Sequence, residues 1–135
     1  MPRPETFISL SDLDDRFDQS GQSHFNKWQT YSHELRKDPR LIAYYTFDQH
    51  SPWHRTLKNV AASGSEYDGA IVGARRVAGR WAKLKHALEF KPTSSRTRVL
   101  IPGEFGSLPF VCWARIDSLD SQYNALFLSD NFQTG

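Results

Sequence analysis

The chain has 135 residues and 39% hydrophobic content, which suits one soluble domain with a real core and leaves no surplus for a membrane span. Its 17 Lys and Arg against 15 Asp and Glu leave a net charge of +2, too small to call for nucleic acid, an anionic membrane or an acidic substrate. Cys112 is the single cysteine, so no internal disulfide can form, and its place inside "FVCWARI" predicts a buried, inert thiol.

The N-terminal "MPRPETF" lacks the basic start and apolar stretch of a signal peptide, so any export signal is expected on a longer chain. From Ser9 to Lys37, Leu10, Leu13, Phe17, Phe25, Trp28, Tyr31 and Leu35 recur at steps of three and four, the spacing of an amphipathic helix. "SDLD" from Ser11 supplies a capping-box-like start, with acids in the first turn where the helix dipole favours them. Gly21 within "QSGQS" predicts a weakened helix or two shorter ones, and Pro39 predicts the stop, because Asp38 before it disfavours the helical region.

After residue 40 the pattern changes to short β-branched and aromatic runs. Strands are predicted at "LIAYYTF" (41–47), "GAIVG" (69–73), "HALEF" (86–90), "RVLI" (98–101), "PFVCWARI" (109–116) and "NALFL" (124–128), with Gly, Pro, Ser and Asp turns between them. Such runs without intervening helices predict a mainly β, antiparallel sandwich or barrel preceded by a helical lead-in, with 1–40 as the lead-in and 41–135 as the β domain. In the run 109–116, Phe110, Cys112, Ala114 and Ile116 share one face, predicted to be core, and Val111, Trp113 and Arg115 share the other. Arg75, Arg76, Arg80, Lys83 and Lys85 form a basic stretch that reads as a solvated loop face. A nucleic-acid surface would want aromatics interleaved with these cations, and only Trp81 is adjacent.

The order "LIAYYTFD", "LKN", "YDGAIVG", "GRWAKLKHALEF" and "RVLIPGEFGSLPFVCWARIDSLDSQYNALFLSD" resembles the laminin-G-like (LamG) branch of the concanavalin A-like lectin and glucanase superfamily. The preceding "FNKWQTYSHELRKDPRL" resembles the helical lead-in of bacterial proteins in which such a domain follows a FecR-type regulatory module. The resemblance implies a two-sheet jelly roll that binds carbohydrate or a cell-surface protein, calcium at the rim, and an extracytoplasmic location in the periplasm or at the cell surface. A jelly roll has about eight strands. Fewer runs are present here, so the expectation is the N-terminal part of such a domain, with an unpaired sheet edge or face open to self-association.

The chemistry can be read against these alternatives. Glycosidases of such folds pair carboxylates on alternate residues of one strand, which places both on one face. No such run occurs, and Asp117 and Asp120 flank a predicted turn, so the chain reads as noncatalytic. His50 and His54 have a zinc-like i, i+4 spacing, but Pro52 makes "HSPWH" a loop and no third ligand stands near. Calcium would take loop oxygens, for which Asp48, Asp68 and Asp130 are the candidates, although each also suits an ordinary turn. A sugar needs an exposed aromatic face beside polar groups. Trp53 and Tyr67, with Asp48, His54, Glu66 and Asp68 beside them, meet that description, while Trp53 also suits a loop plug and Trp81 a core anchor. Three readings follow: a LamG-like binding module without catalysis, a structural or interaction domain without a small ligand, and a fragment of a glycan-active enzyme.

Overall fold

The computed structural model describes residues 10–48, 54–91, 94–120, 122 and 124–129, with the backbone alone at 10–18, 82 and 83. These fall into two compact units, Met1–Pro102 and Gly103–Gly135.

The first unit opens with one uninterrupted helix, α1 (Leu10–Leu35). Of the two expectations at Gly21, a weakened helix or two shorter ones, the second does not occur. Glycine costs a helix only about 1 kcal/mol relative to alanine, and the long flanking segments outweigh that. Leu10, Leu13 and Phe17 lie where only the backbone is described. Beyond them the inward face runs Phe25, Trp28, Ser32 and Leu35, at steps of three, four and three. Tyr31, expected on that stripe, is 68% exposed, whereas Ser32 is buried because its hydroxyl meets the Tyr44 hydroxyl at 2.9 Å. The helix closes with tight turns, Lys37 N–H to Glu34 O and Asp38 N–H to Leu35 O, both 3.1 Å. The Arg40 guanidinium donates to the Asp38 carboxylate at 2.9 Å, and this bond, with that from the Arg40 backbone N–H, also 2.9 Å, holds the Asp38 carboxyl down at about 2.

Among the described residues the remaining regular structure is antiparallel β, apart from a 3-10 turn at Gly64–Tyr67. The strands are β1 (Thr56–Leu57), β2 (Gly69–Val72), β3 (Arg75–Gly79), β4 (Ala82–Glu89) and β5 (Arg96–Arg98). They form a three-stranded sheet of order β1-β2-β5 and a separate β3-β4 hairpin. In the sheet Thr56 faces Ala70 and Ile71 faces Thr97; in the hairpin Arg75 faces Glu89 and Ala78 faces His86. Leu57, Ile71 and Ala74 are the buried core, with Tyr45, Phe47 and Leu88 packed on it. Two glycines are dictated by geometry. A Cβ on Gly69 would lie 2.5 Å from the Arg98 carbonyl oxygen, and Gly73 turns the chain between β2 and β3 at φ +69°.

The β class and antiparallel pairing agree with expectation, but several elements differ. "LIAYYTF" forms only an isolated bridge, Tyr45 with Asn59, because the Asn59 side chain takes the Tyr44 N–H that a ladder would use. Phe47, at φ 64°, then bends the backbone through a left-handed conformation that a bulky residue rarely adopts. The strand at "RVLI" is shifted back to Arg96–Arg98, leaving Leu100 80% exposed.

Arg75–Gly79, within the stretch read as a solvated loop face, is strand β3, with Arg75 exposed as expected. Its cations are committed to neighbours: Arg75 Nε donates to Glu89 at 3.1 Å, and Arg76 donates to the His54 carbonyl at 2.7 Å.

In the second unit, Gly103–Gly135, the runs 109–116 and 124–128 form no strand among the described residues. Phe110 and Ile116, expected in the core, are exposed, and so is Cys112, expected buried. Alternation makes a strand only where a neighbouring strand completes the ladder, and among the described residues none does. Phe110 instead stacks on Phe127, with ring centroids 4.7 Å apart.

Candidate functional site

A dense polar arrangement is built around Asn59, one residue beyond the Leu57–Lys58 link from β1. Its side chain is fully used: Oδ1 accepts the N–H of Tyr44 at 2.9 Å and of Ala61 at 3.1 Å, and Nδ2 donates to Ser63 Oγ and Gly64 O at 2.8 Å. The Asn59 backbone N–H goes to Asp68 Oδ1 at 2.8 Å, and the other Asp68 oxygen receives Lys58 Nζ at 3.3 Å. Ser63 Oγ reaches on to the Ile42 carbonyl at 2.6 Å. Segments 42–45, 58–61 and 63–68 are thus tied together by side chains, which replaces the ladder that the 41–47 run lacks.

Tyr67 and Asp68 lie at the edge of this knot, at the corner where the 3-10 turn enters β2. The Tyr67 carbonyl accepts the Tyr45 hydroxyl at 2.7 Å, while its own ring is half-buried. Burial, with the Asp68 charge adding to it, pushes the Tyr45 phenol up to about 12. Asp68 therefore acts first as a turn carboxylate that fixes Asn59 and Lys58.

Asp48 occupies a different place. Its Oδ1 accepts the backbone N–H of His86 on β4 at 3.0 Å, and Oδ2 faces Lys85 Nζ at 3.4 Å. His86 pairs with Ala78 in the hairpin through its other side, so Asp48 caps the outer edge of β4. The Lys85 ammonium also donates to the Thr46 carbonyl and sits 5.1 Å above the Trp28 ring and 5.9 Å from that of Phe47. Burial lowers the Lys85 pKa, and the neighbouring Asp48 charge opposes that shift without cancelling it. Trp28 stacks on Phe25 at 5.7 Å, and Phe25 meets Trp81 edge-on at 6.1 Å, which fixes α1 against the hairpin. Trp81, expected to anchor on the core, instead meets Phe25 of α1 and is not among the residues packed on the Leu57, Ile71 and Ala74 cluster.

Trp53, Asp130 and His50 lie outside the described residues. His54 is exposed, and its carbonyl accepts Arg76. The structure brings Tyr67 and Asp68 together at one corner and engages Asp48 on β4. Asp48 and Asp68 each already hold a lysine ammonium and a backbone N–H, so a calcium ion at either would compete with that lysine. Among the described residues no group of three or more His, Cys, Asp or Glu side chains is placed to hold a metal ion. Also among them, no helix is long and apolar enough to cross a membrane. Sequence reading missed Asn59 and Lys85. "LKN" followed by "SG" four residues later is a turn signal that points to Asn59, but the contacts of Lys85 with Thr46 and Asp48 span 39 and 37 residues and leave no local trace.

Comparison with family models found none that matches the chain, and comparison with curated proteins and with solved structures found no significant match to either.

Proposed function

We propose that the chain is a noncatalytic, LamG-like recognition module of jelly-roll type that takes a carbohydrate or a cell-surface protein, within a larger extracytoplasmic or FecR-type regulatory protein. The observation that carries this reading is the use made of the acids beside the strands. Asp48, Asp68 and Glu89 each hold a cation, and the first two also hold a backbone N–H, so they brace the fold rather than face one another as an acid/base pair. Beside them Tyr67 presents a half-exposed aromatic ring on a corner made rigid by Asn59, a surface suited to an apolar sugar face or a protein side chain.

A glycan and surface-protein array, probed with and without a chelator, tests the reading and the part calcium plays in it. Retention on at least one ligand supports it, and loss of that retention in chelator assigns calcium a role. A folded protein that retains nothing counts against it. The alternative is a structural or interaction domain without a small ligand, which is favoured by the exposure of Leu126 and Leu128, 65% and 87%. Mixed oligomers on a sizing column that vanish when both leucines become polar would select that alternative.

A further inference from the structure

The run Leu108–Ile116 has the composition of a strand and belongs to no sheet among the described residues. Val111 is 91% exposed, Trp113 79%, Ile116 62% and Phe110 58%. Within it the seven residues Phe110–Ile116 combine high β propensity with one charge and neither proline nor glycine, the pattern that pairs with copies of itself. Its one charge is already neutralised nearby, since Arg115 Nε donates to Asp117 at 3.0 Å.

We propose that Leu108–Ile116 pairs antiparallel with the same run of a second copy of this chain, about a two-fold axis at Cys112. In that register Val111 faces Trp113, Phe110 faces Ala114, and Leu108 faces Ile116. Apart from Pro109, which faces Arg115, every apolar side chain meets another, and the aromatic against β-branched pair is among the favourable cross-strand combinations. The two Arg115 side chains stand at opposite ends, each beside the partner's Pro109, so like charges never oppose. Pro109, which lacks an N–H, falls near the strand end where it is tolerated. Moving the axis to Trp113 sets Val111 against Arg115, and moving it to Val111 sets Trp113 against Pro109, so complementarity selects Cys112. Phe127, stacked on Phe110, extends the apolar face of each copy.

Light scattering on the eluting protein in reductant, from low micromolar to millimolar, should show a monomer passing to a dimer. Val111→Lys, at a side chain too exposed to support a core, should weaken the dimer about tenfold or more. The register is read by mild oxidation with diamide, which takes two protons and two electrons from two Cys112 thiols to form one disulfide. The unaltered protein should cross-link readily. A C112S/A114C variant, whose position 114 faces Phe110 of the other copy, should cross-link about tenfold less, since opposed Cα atoms must lie within about 7 Å. A monomer throughout the range would overturn the proposal, including one whose 108–116 amides are protected by docking within its own chain. A dimer unmoved by Val111→Lys, or equal cross-linking by both cysteine positions, would overturn it as well.

Discussion

Asp68 Oδ1 accepts the backbone N–H of Asn59 at 2.8 Å, while the Asn59 side chain holds two further N–H groups and donates to two oxygens. The residues are nine apart, and the bond closes the loop that delivers the chain into β2. Asn59 is 3% exposed, and its removal would take the acceptor from the Tyr44 N–H and from the N–H of buried Ala61. Asn59→Ala should cost about 3 kcal/mol, and Asp68→Ala, which strands one N–H, about 1–2 kcal/mol. Urea unfolding followed by circular dichroism distinguishes the two, and equal losses would show that the knot is not centred on Asn59.

Gly69 is fixed by the approach of β5. A Cβ there would sit 2.5 Å from the Arg98 oxygen and 2.9 Å from Val99 Cγ2. Gly69→Ala must push β5 away from β2 and should cost about 2 kcal/mol. Amide exchange should accelerate across Arg96–Arg98 while the β3-β4 hairpin keeps its protection.

Tyr45 should give an alkaline signature. Its folded pKa, about 12, lies above the ordinary 10.0. A group raised in this way contributes its full stability below pH 10, and loses that contribution as the pH rises through the folded value. Absorbance titration of the phenols should show one tyrosine ionising late, and Tyr45→Phe should remove that late step. The same variant should flatten the decline of stability between pH 10 and about 12.

Glu89 should act at the acid end. Its hydrogen bond with Arg75 holds the carboxyl below the ordinary 4.5, and Lys91 adds to the effect. For a depressed group the stabilisation is present above the unfolded pKa and lost as the pH falls through the folded one. Hairpin stability should therefore decline on acidification from about pH 4.5 downward, and Glu89→Gln should remove that component from a melting-temperature profile.

What could be read in advance depended on the range of the interaction. The helix was legible because Phe25, Trp28 and Leu35 carry a local period, and β2 and β4 were legible because "GAIV" and "HALE" carry strand propensity between turn residues. Strand β3 was not, since "RRVAG" has weak propensity and is held by Arg75 on Glu89 and Arg76 on the His54 carbonyl. The run 109–116 shows the converse: its alternation is strong, but alternation reports a willingness to pair and not the presence of a neighbour. At the candidate site Tyr67 and Asp68 could be named from their turn, yet Asp48 read equally as a cation ligand or a turn residue. Its bond to His86 lies 38 residues away and no local pattern encodes it.

Recognition through the corner at Tyr67 is tested most directly by measuring retention of Tyr67→Ala beside the unaltered protein on the same glycan and surface-protein array. Because only the Tyr67 carbonyl serves Tyr45, truncating the ring leaves that bond in place. The predicted result is at least one retained ligand, with affinity lowered about tenfold in Tyr67→Ala and the melting temperature little changed. A well-folded protein that retains no ligand, or a ligand held equally by both forms, would contradict it.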